Sequence, residues 1–91
     1  MKITALIVDD ESELRKSVIS VLRNMEASEG LSFEFAEASN GLEAVEKAKT
    51  QFWDLILMDV KMPEMDGLTA LHNIKESDPR TFVVIMTAQQ P

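Results

Sequence analysis

Three apolar runs in this chain end on groups that can bind a cation or a phosphoryl oxygen. Asp9-Asp10 follows Ile3-Thr4-Ala5-Leu6-Ile7-Val8, Asp59 follows Leu55-Ile56-Leu57-Met58, and Thr87 closes Phe82-Val83-Val84-Ile85-Met86. Carboxylates brought together repel: two unit charges ~4 Å apart cost about 4 kcal/mol at an effective dielectric of 20. A fold that gathers them therefore needs a proton or a cation. An all-oxygen set without His or Cys suits a hard cation, Mg²⁺ ahead of Zn²⁺, and Mg²⁺ favours one or two carboxylates together with water and phosphate oxygens. A carboxylate such as Asp59 can also attack phosphorus and become an aspartyl phosphate. The cation would offset charge on the phosphoryl oxygens, and the Thr87 hydroxyl could donate to one of them. Taken singly, each group has a plainer explanation. Asp9 or Asp10 would cap the following helix, Thr87 would be an ordinary strand residue, Asp66 a cap, His72 a solvated helix residue, and Trp53, Met62 and Met65 packing. The joint occurrence at three strand ends carries the chemical reading.

The elements that must position these groups are legible from the hydrophobic pattern. Four large apolar residues before Asp59 read as a strand buried on both faces, and Pro63 and Asp66-Gly67 mark the loop after it. Ile3–Val8 is a first strand. A helix follows from about Ser12, capped by that serine or an acid just before it, with Glu11 and Glu13 at the positive end of its dipole. Its apolar stripe is Leu14, Val18, Val21, Leu22 and Met25, with Arg15, Lys16 and Arg23 off the stripe, and it should end near Ala27. Phe33–Ala38, mixed in polarity, suits an edge strand. Asn40 with Glu43 resembles a capping box opening a second helix that turns Leu42, Val45 and Ala48 inward. Asp66 caps a third helix with Leu68, Leu71 and Ile74 inward. Ser77-Asp78-Pro79 stops it, and Phe82–Thr87 is a fourth buried strand.

The order β-α-β-α-β-α-β predicts an α/β fold: a parallel sheet, doubly wound, with right-handed crossovers and helices on both faces. In a flavodoxin-like strand order the first and third strands are neighbours, and the three acids share one crevice at the switch point.

Composition bounds the rest. Ninety-one residues, 45% of them hydrophobic, make one small domain, 1–91, with no linker, repeat or low-complexity tract. The absence of cysteine excludes disulfides and thiolate metal sites. A net charge of −7 argues against direct nucleic-acid binding and against docking on an acidic membrane. No run is long enough to span a bilayer and no leader-like segment opens the chain, so a cytoplasmic protein is expected.

These residues resemble the receiver domain of two-component response regulators, the CheY-like family. The likeness runs from Ile7-Val8-Asp9-Asp10-Glu11 through Ala38-Ser39-Asn40-Gly41-Leu42-Glu43-Ala44 and Leu57-Met58-Asp59-Val60-Lys61-Met62-Pro63-Glu64-Met65-Asp66-Gly67 to Met86-Thr87-Ala88. The resemblance implies that Asp59 accepts a phosphoryl group from a histidine kinase, a phosphotransfer protein or a small phosphodonor. It implies that Asp10 and Asp59 ligate Mg²⁺, with Mn²⁺ as a substitute, helped by the Lys61 backbone carbonyl and by Asp9. Thr87 would contact the phosphoryl group and shift on activation, small Ala88 would leave the site open, and Pro63 and Gly67 would shape the loop. Family members continue through a further helix, strand and helix that supply a lysine and an aromatic switch residue. The expectation here is a chain shortened after its fourth strand, with weak phosphorylation and with self-association through residues 82–87, a long uncharged edge. An output domain or effector would lie outside the chain.

Other functions fit less well. A Mg²⁺-dependent phosphatase or transferase with an aspartyl nucleophile typically shows Asp-x-Asp after its first strand, whereas the acids here are adjacent. A nucleotide-binding domain would need a glycine-rich turn where Asp9-Asp10 stand. A phosphorylation-independent interaction scaffold remains the alternative on the same fold.

Overall fold

In the computed structural model, which describes residues 1–86, strand formation begins with the first apolar run. The elements in order are β1 (Lys2–Val8), α1 (Ser12–Glu29), β2 (Ser32–Ala38), α2 (Gly41–Thr50), β3 (Leu55–Asp59), α3 (Gly67–Ser77) and β4 (Phe82–Met86). All four strands are parallel, in the order β2-β1-β3-β4. β1 therefore lies inside the sheet, and Ala5 through Val8 are completely buried. β2, with alternating exposure, takes an edge, as its mixed composition predicted.

Register is what makes the site. Val8 pairs with Met58 across β1 and β3, so the next residue on each strand is an aspartate, Asp9 and Asp59. Val8 also pairs with Ala38, and the Asp9 N–H continues that ladder by donating to the Ala38 carbonyl at 3.1 Å.

Because side chains alternate along a strand, β1 splits between two faces. Leu6 and Val8 point with Ala38, Ile56 and Met58 into a core closed by Ala44 and Val45 of α2 and by Ala70 and Ile74 of α3, with Trp53 beneath it. Ala5, Ile7 and Phe33 point the other way, towards Val18, Ile19 and Leu22 of α1.

Several local expectations change. α1 runs two residues past Ala27 and ends at Gly30, whose φ of 69° is the left-handed conformation that glycine adopts without a Cβ penalty. No side-chain hydrogen bond caps its start at Glu11. Its stripe is only half used: Leu14, Val21 and Met25 are exposed and none of its residues is fully buried. The reason is reach. α1 lies over β1 and β2, which also leaves Leu55 and Leu57 of β3 half-covered, so β3 is deeply buried on one face only. On α2 and α3 the small residues Ala44 and Ala70 take the closest positions, and Leu42 and Leu68 sit at the rim, exposed. Asn40 and Asp66 do cap their helices, accepting from the backbone N–H of Glu43 and of Thr69, each at 2.8 Å.

Candidate acidic site

At the carboxyl ends of β1 and β3, one carboxylate oxygen from each of Asp9, Asp10 and Asp59 lies within 4.8 Å of the others. Asp9 is buried, Asp59 half-buried and Asp10 exposed, so the cluster opens outward through Asp10. The strand register alone brings Asp9 beside Asp59; the turn after β1 then delivers Asp10.

Each acid is held differently. Asp9 Oδ1 accepts the Glu11 N–H at 2.9 Å, which forms the turn into α1. Burial pushes the Asp9 carboxyl above the usual aspartate range, and the nearby Asp59 and Asp10 charges push the same way against the lowering effect of the Glu11 N–H. Asp59 Oδ1 accepts from the following Val60 N–H at 2.8 Å. Its other oxygen has no protein donor among the described residues.

The loop after Asp59 is fixed by backbone contacts. The Gly67 N–H donates to the Val60 carbonyl at 2.8 Å and the Met65 N–H to the Pro63 carbonyl at 2.7 Å. The Gly41 N–H at the start of α2 donates to the Met65 carbonyl at 3.0 Å. Both glycines permit a close approach. A Cβ on Gly67 would stand 2.1 Å from the Asp59 carbonyl oxygen, and one on Gly41 2.2 Å from the Met65 carbonyl oxygen. Glu64, after Pro63, takes a φ of 71°, a conformation disfavoured for a residue with a Cβ. Lys61, with its backbone in this loop, has an exposed side chain.

The residues that the sequence places at the site therefore divide. Asp9, Asp10 and Asp59 come together, Lys61 and Pro63 lie on the adjoining loop, and Gly67 opens α3 where that loop ends. Thr87 and Ala88 lie outside the described residues. Two groups escaped the sequence reading. Gly41 looks like a routine helix start, yet it ties α2 to the loop after Asp59. Arg15, off the apolar stripe, donates from Nη1 to the Asp9 carbonyl at 2.6 Å. Its signal was its place one turn into the helix that begins at the acids.

Chemically, an oxygen-only cluster of three acids can hold a hard divalent cation and present one carboxylate to an electrophile. Among the described residues no helix is long and apolar enough to cross a membrane.

Comparison with known proteins places this geometry. The profile described as "Response regulator receiver domain" matches residues 5–91. The chemotaxis protein CheY of Bacillus subtilis is 42% identical over 83 residues, which cover 91% of this chain and 65% of that protein. The protein-glutamate methylesterase/protein-glutamine glutaminase 2 of Carboxydothermus hydrogenoformans is 44% identical over 89 residues, 98% of this chain and 24% of that protein. The chain thus spans just under two thirds of the first relative's length and about a quarter of the second's. Among solved structures, a chain of the CheX-CheY-BeF3-Mg+2 complex from Borrelia burgdorferi superimposes with a TM-score of 0.69 at 35% identity, over 96% of this chain and 63% of that one.

Proposed function

The chain belongs to the response regulator receiver domain family, and from that premise we propose that Asp59 is its phosphoacceptor, modified in a reaction that requires a divalent cation. One observation carries the reading: the in-register pairing of β1 with β3 that sets Asp9 and Asp10 against Asp59, with carboxylate oxygens within 4.8 Å.

Asp10 and Asp59 would hold Mg²⁺, or Mn²⁺ in its place, with the Lys61 backbone carbonyl and with Asp9 directly or through water. The oxygen-only donor set fits such an ion, and the Borrelia burgdorferi structure names Mg²⁺ together with BeF3. When bound, the ion supplies positive charge for the phosphoryl oxygens. The chain's own residues do the rest. The Val60 N–H holds Asp59 Oδ1 and so orients the carboxylate, leaving Oδ2 to attack phosphorus. With a phosphohistidine donor, the new O–P bond forms as the P–N bond breaks, and the departing imidazole nitrogen takes up a proton. Asp9 fixes the turn that carries Asp10. Thr87 would receive a phosphoryl oxygen and Ala88 would leave room for it. Pro63 and Gly67 shape the loop that keeps Asp59 at the rim.

Phosphorylation adds ~1.5 to 2 negative charges at Asp59 and so biases the surrounding loops between two arrangements. The donor would be a sensor histidine kinase or a phosphotransfer protein, and a cytoplasmic location follows from that donor. The output would be a domain or effector beyond residues 1–91; the methylesterase relative is a protein in which a matching region accounts for about a quarter of the length. The chain itself acts as a signalling phosphoacceptor and turns over no diffusible substrate beyond its own phosphodonor. Its charge of −7 supports protein partners over nucleic acid or an acidic membrane.

The test is exposure to a small phosphodonor or to beryllofluoride, with and without Mg²⁺, in the wild type and in Asp59→Ala. The expected result is a Mg²⁺-dependent gain of one phosphoryl group from the phosphodonor, read by mass, and a Mg²⁺-dependent spectroscopic response to beryllofluoride, both abolished by Asp59→Ala. No response of the wild type to either reagent in the presence of Mg²⁺ would overturn the acceptor role and leave an interaction scaffold.

A further inference from the structure

Arg15 stands apart from the other basic residues of α1. Its side chain is 16% exposed, against 71% for Lys16 and 57% for Arg23. Its guanidinium bridges two strand ends. Nη1 donates to the Asp9 carbonyl at 2.6 Å, and Nε donates to Glu37 Oε1 at 2.7 Å. Its own backbone N–H donates to the Glu11 carbonyl at 3.2 Å in the first turn of the helix.

The consequence is a residue whose backbone is gripped on both sides. The Asp9 N–H is held by the Ala38 carbonyl on β2, and the Asp9 carbonyl is held by Arg15. The Ala38 bond fixes the peptide before Asp9, and the Arg15 bond restrains the peptide between Asp9 and Asp10, and with it the direction in which exposed Asp10 leaves the backbone. The Glu11 side chain makes no cap at the start of α1; the Asp9 carboxylate, which accepts the Glu11 N–H, and the Arg15 contact with the Asp9 carbonyl hold the entry to the helix. Glu37 plays a second part. A lone guanidinium beside the crevice would compete with a cation for the three carboxylates, and the Glu37 carboxylate, paired with Arg15, offsets that charge.

We infer that Arg15 is a positioning residue for the divalent-cation site: through the Asp9 carbonyl it sets the Asp9–Asp10 turn in the geometry that binds the ion. This rests on the reading of the acidic crevice as a cation site. Position and charge have opposite signs here, which makes the inference decidable. If Arg15 acted only as a positive charge, its removal would tighten cation binding. If it sets the turn, its removal loosens binding, by about tenfold for a lost outer contact of a metal ligand.

The experiment is a Mn²⁺ titration of the whole chain, read from the electron paramagnetic resonance signal of the free ion, in wild type, Arg15→Gln, Arg15→Lys and Asp10→Asn. Metal-free melting followed by Trp53 fluorescence shows that each variant is folded. Arg15→Gln is expected to weaken Mn²⁺ binding about tenfold. Arg15→Lys keeps the charge but has no fork to reach both the Asp9 carbonyl and Glu37, so it should weaken binding to a smaller degree. Unchanged or tighter binding in Arg15→Gln overturns the inference, and if that variant does not fold, unchanged binding in Arg15→Lys does so. A wild type that binds no Mn²⁺ more tightly than Asp10→Asn overturns the cation site and the role of Arg15 with it.

Discussion

The two faces of the sheet are made from the same strands and are built very differently. On one, α2 and α3 close over Leu6, Val8, Ile56 and Met58, and small residues at the helix contacts let the backbones approach. On the other, among the described residues, α1 alone covers Ala5, Ile7 and Phe33, with Arg23 laid over the Phe35 ring 4.8 Å from its centroid and an open groove of ≈ 610 Å³ between Met1, Leu22, Met25, Leu55 and Phe82. The acidic site straddles the two. Asp59 rises from a loop anchored to α2 and α3 by backbone hydrogen bonds, whereas Asp9 and Asp10 rise from a turn above the thin face that Arg15 secures. A densely packed half and a lightly covered half thus meet at the residues that do the chemistry, and the light half relies on a polar tie where the dense half relies on packing.

Truncation measures the contrast most directly. Ile74→Ala, in the dense face, should destabilise by about 2–5 kcal/mol, because the cavity it leaves has little freedom to collapse. Leu22→Ala, on the half-covered face, should cost about 1 kcal/mol. Equal losses in urea denaturation would erase the distinction between the faces.

Cation binding comes next, since it joins the two halves. A hundredfold excess of Mg²⁺ over its Kd should add about 2.7 kcal/mol to stability. Without the ion, Asp9 contributes a pH dependence of definite sign. Its folded carboxyl holds a proton to higher pH than in the unfolded chain, mainly through burial. Its contribution is therefore most favourable below the ordinary aspartate value and is lost as pH rises from there through the raised folded value. Asp9→Asn should flatten that acid-side slope in metal-free melting curves, and an unchanged slope would exclude Asp9 as its source.

Polar substitutions on the exposed stripe should do little to the fold. Val21→Thr and Met25→Lys should stay within about 0.5 kcal/mol of the wild type. The edge strand β4 carries exposed Phe82, and we expect association of the chain through residues 82–86 that Phe82→Lys reduces in light scattering. A wild type that stays monomeric at high concentration would show that the thin side is nonetheless closed.

The smallest effect belongs to the turn before β4. Hydrogen bonds and charge from Arg80 hold the half-buried Asp78 carboxyl down at about 2. Its stabilising contribution is present above the ordinary aspartate value and is lost only as pH falls towards that low value. Arg80→Ala should return the Asp78 titration, followed by NMR, to the ordinary range with scarcely any change in melting temperature.

The sequence carried the site's acids because strand ends are written plainly: an unbroken apolar run followed by a carboxylate, twice, in strands that parallel pairing must align. Asn40 and Asp66 were equally legible, since a cap is a local device. Helix faces were less so. Periodicity puts Leu14, Val21 and Leu68 on apolar stripes, but exposure depends on where the helix comes to lie over the sheet, and on which small residue, Ala44 or Ala70, permits the closest contact. Arg15 and Gly41 were harder to read for a related reason. Each matters through a backbone carbonyl of another residue, Asp9 or Met65, and backbone atoms leave no mark on residue type.

The central place of β1 also sets a timetable. β1 can pair with β2 once the first 38 residues are available, but Asp59 reaches Asp9 only when β3 slots in on the opposite side. The repulsion of Asp59 by Asp9 and Asp10 is thus absent from the pairing of β1 with β2 and falls on the docking of β3. An ion captured after that event would act as a latch, slowing departure of the strand without hastening its arrival.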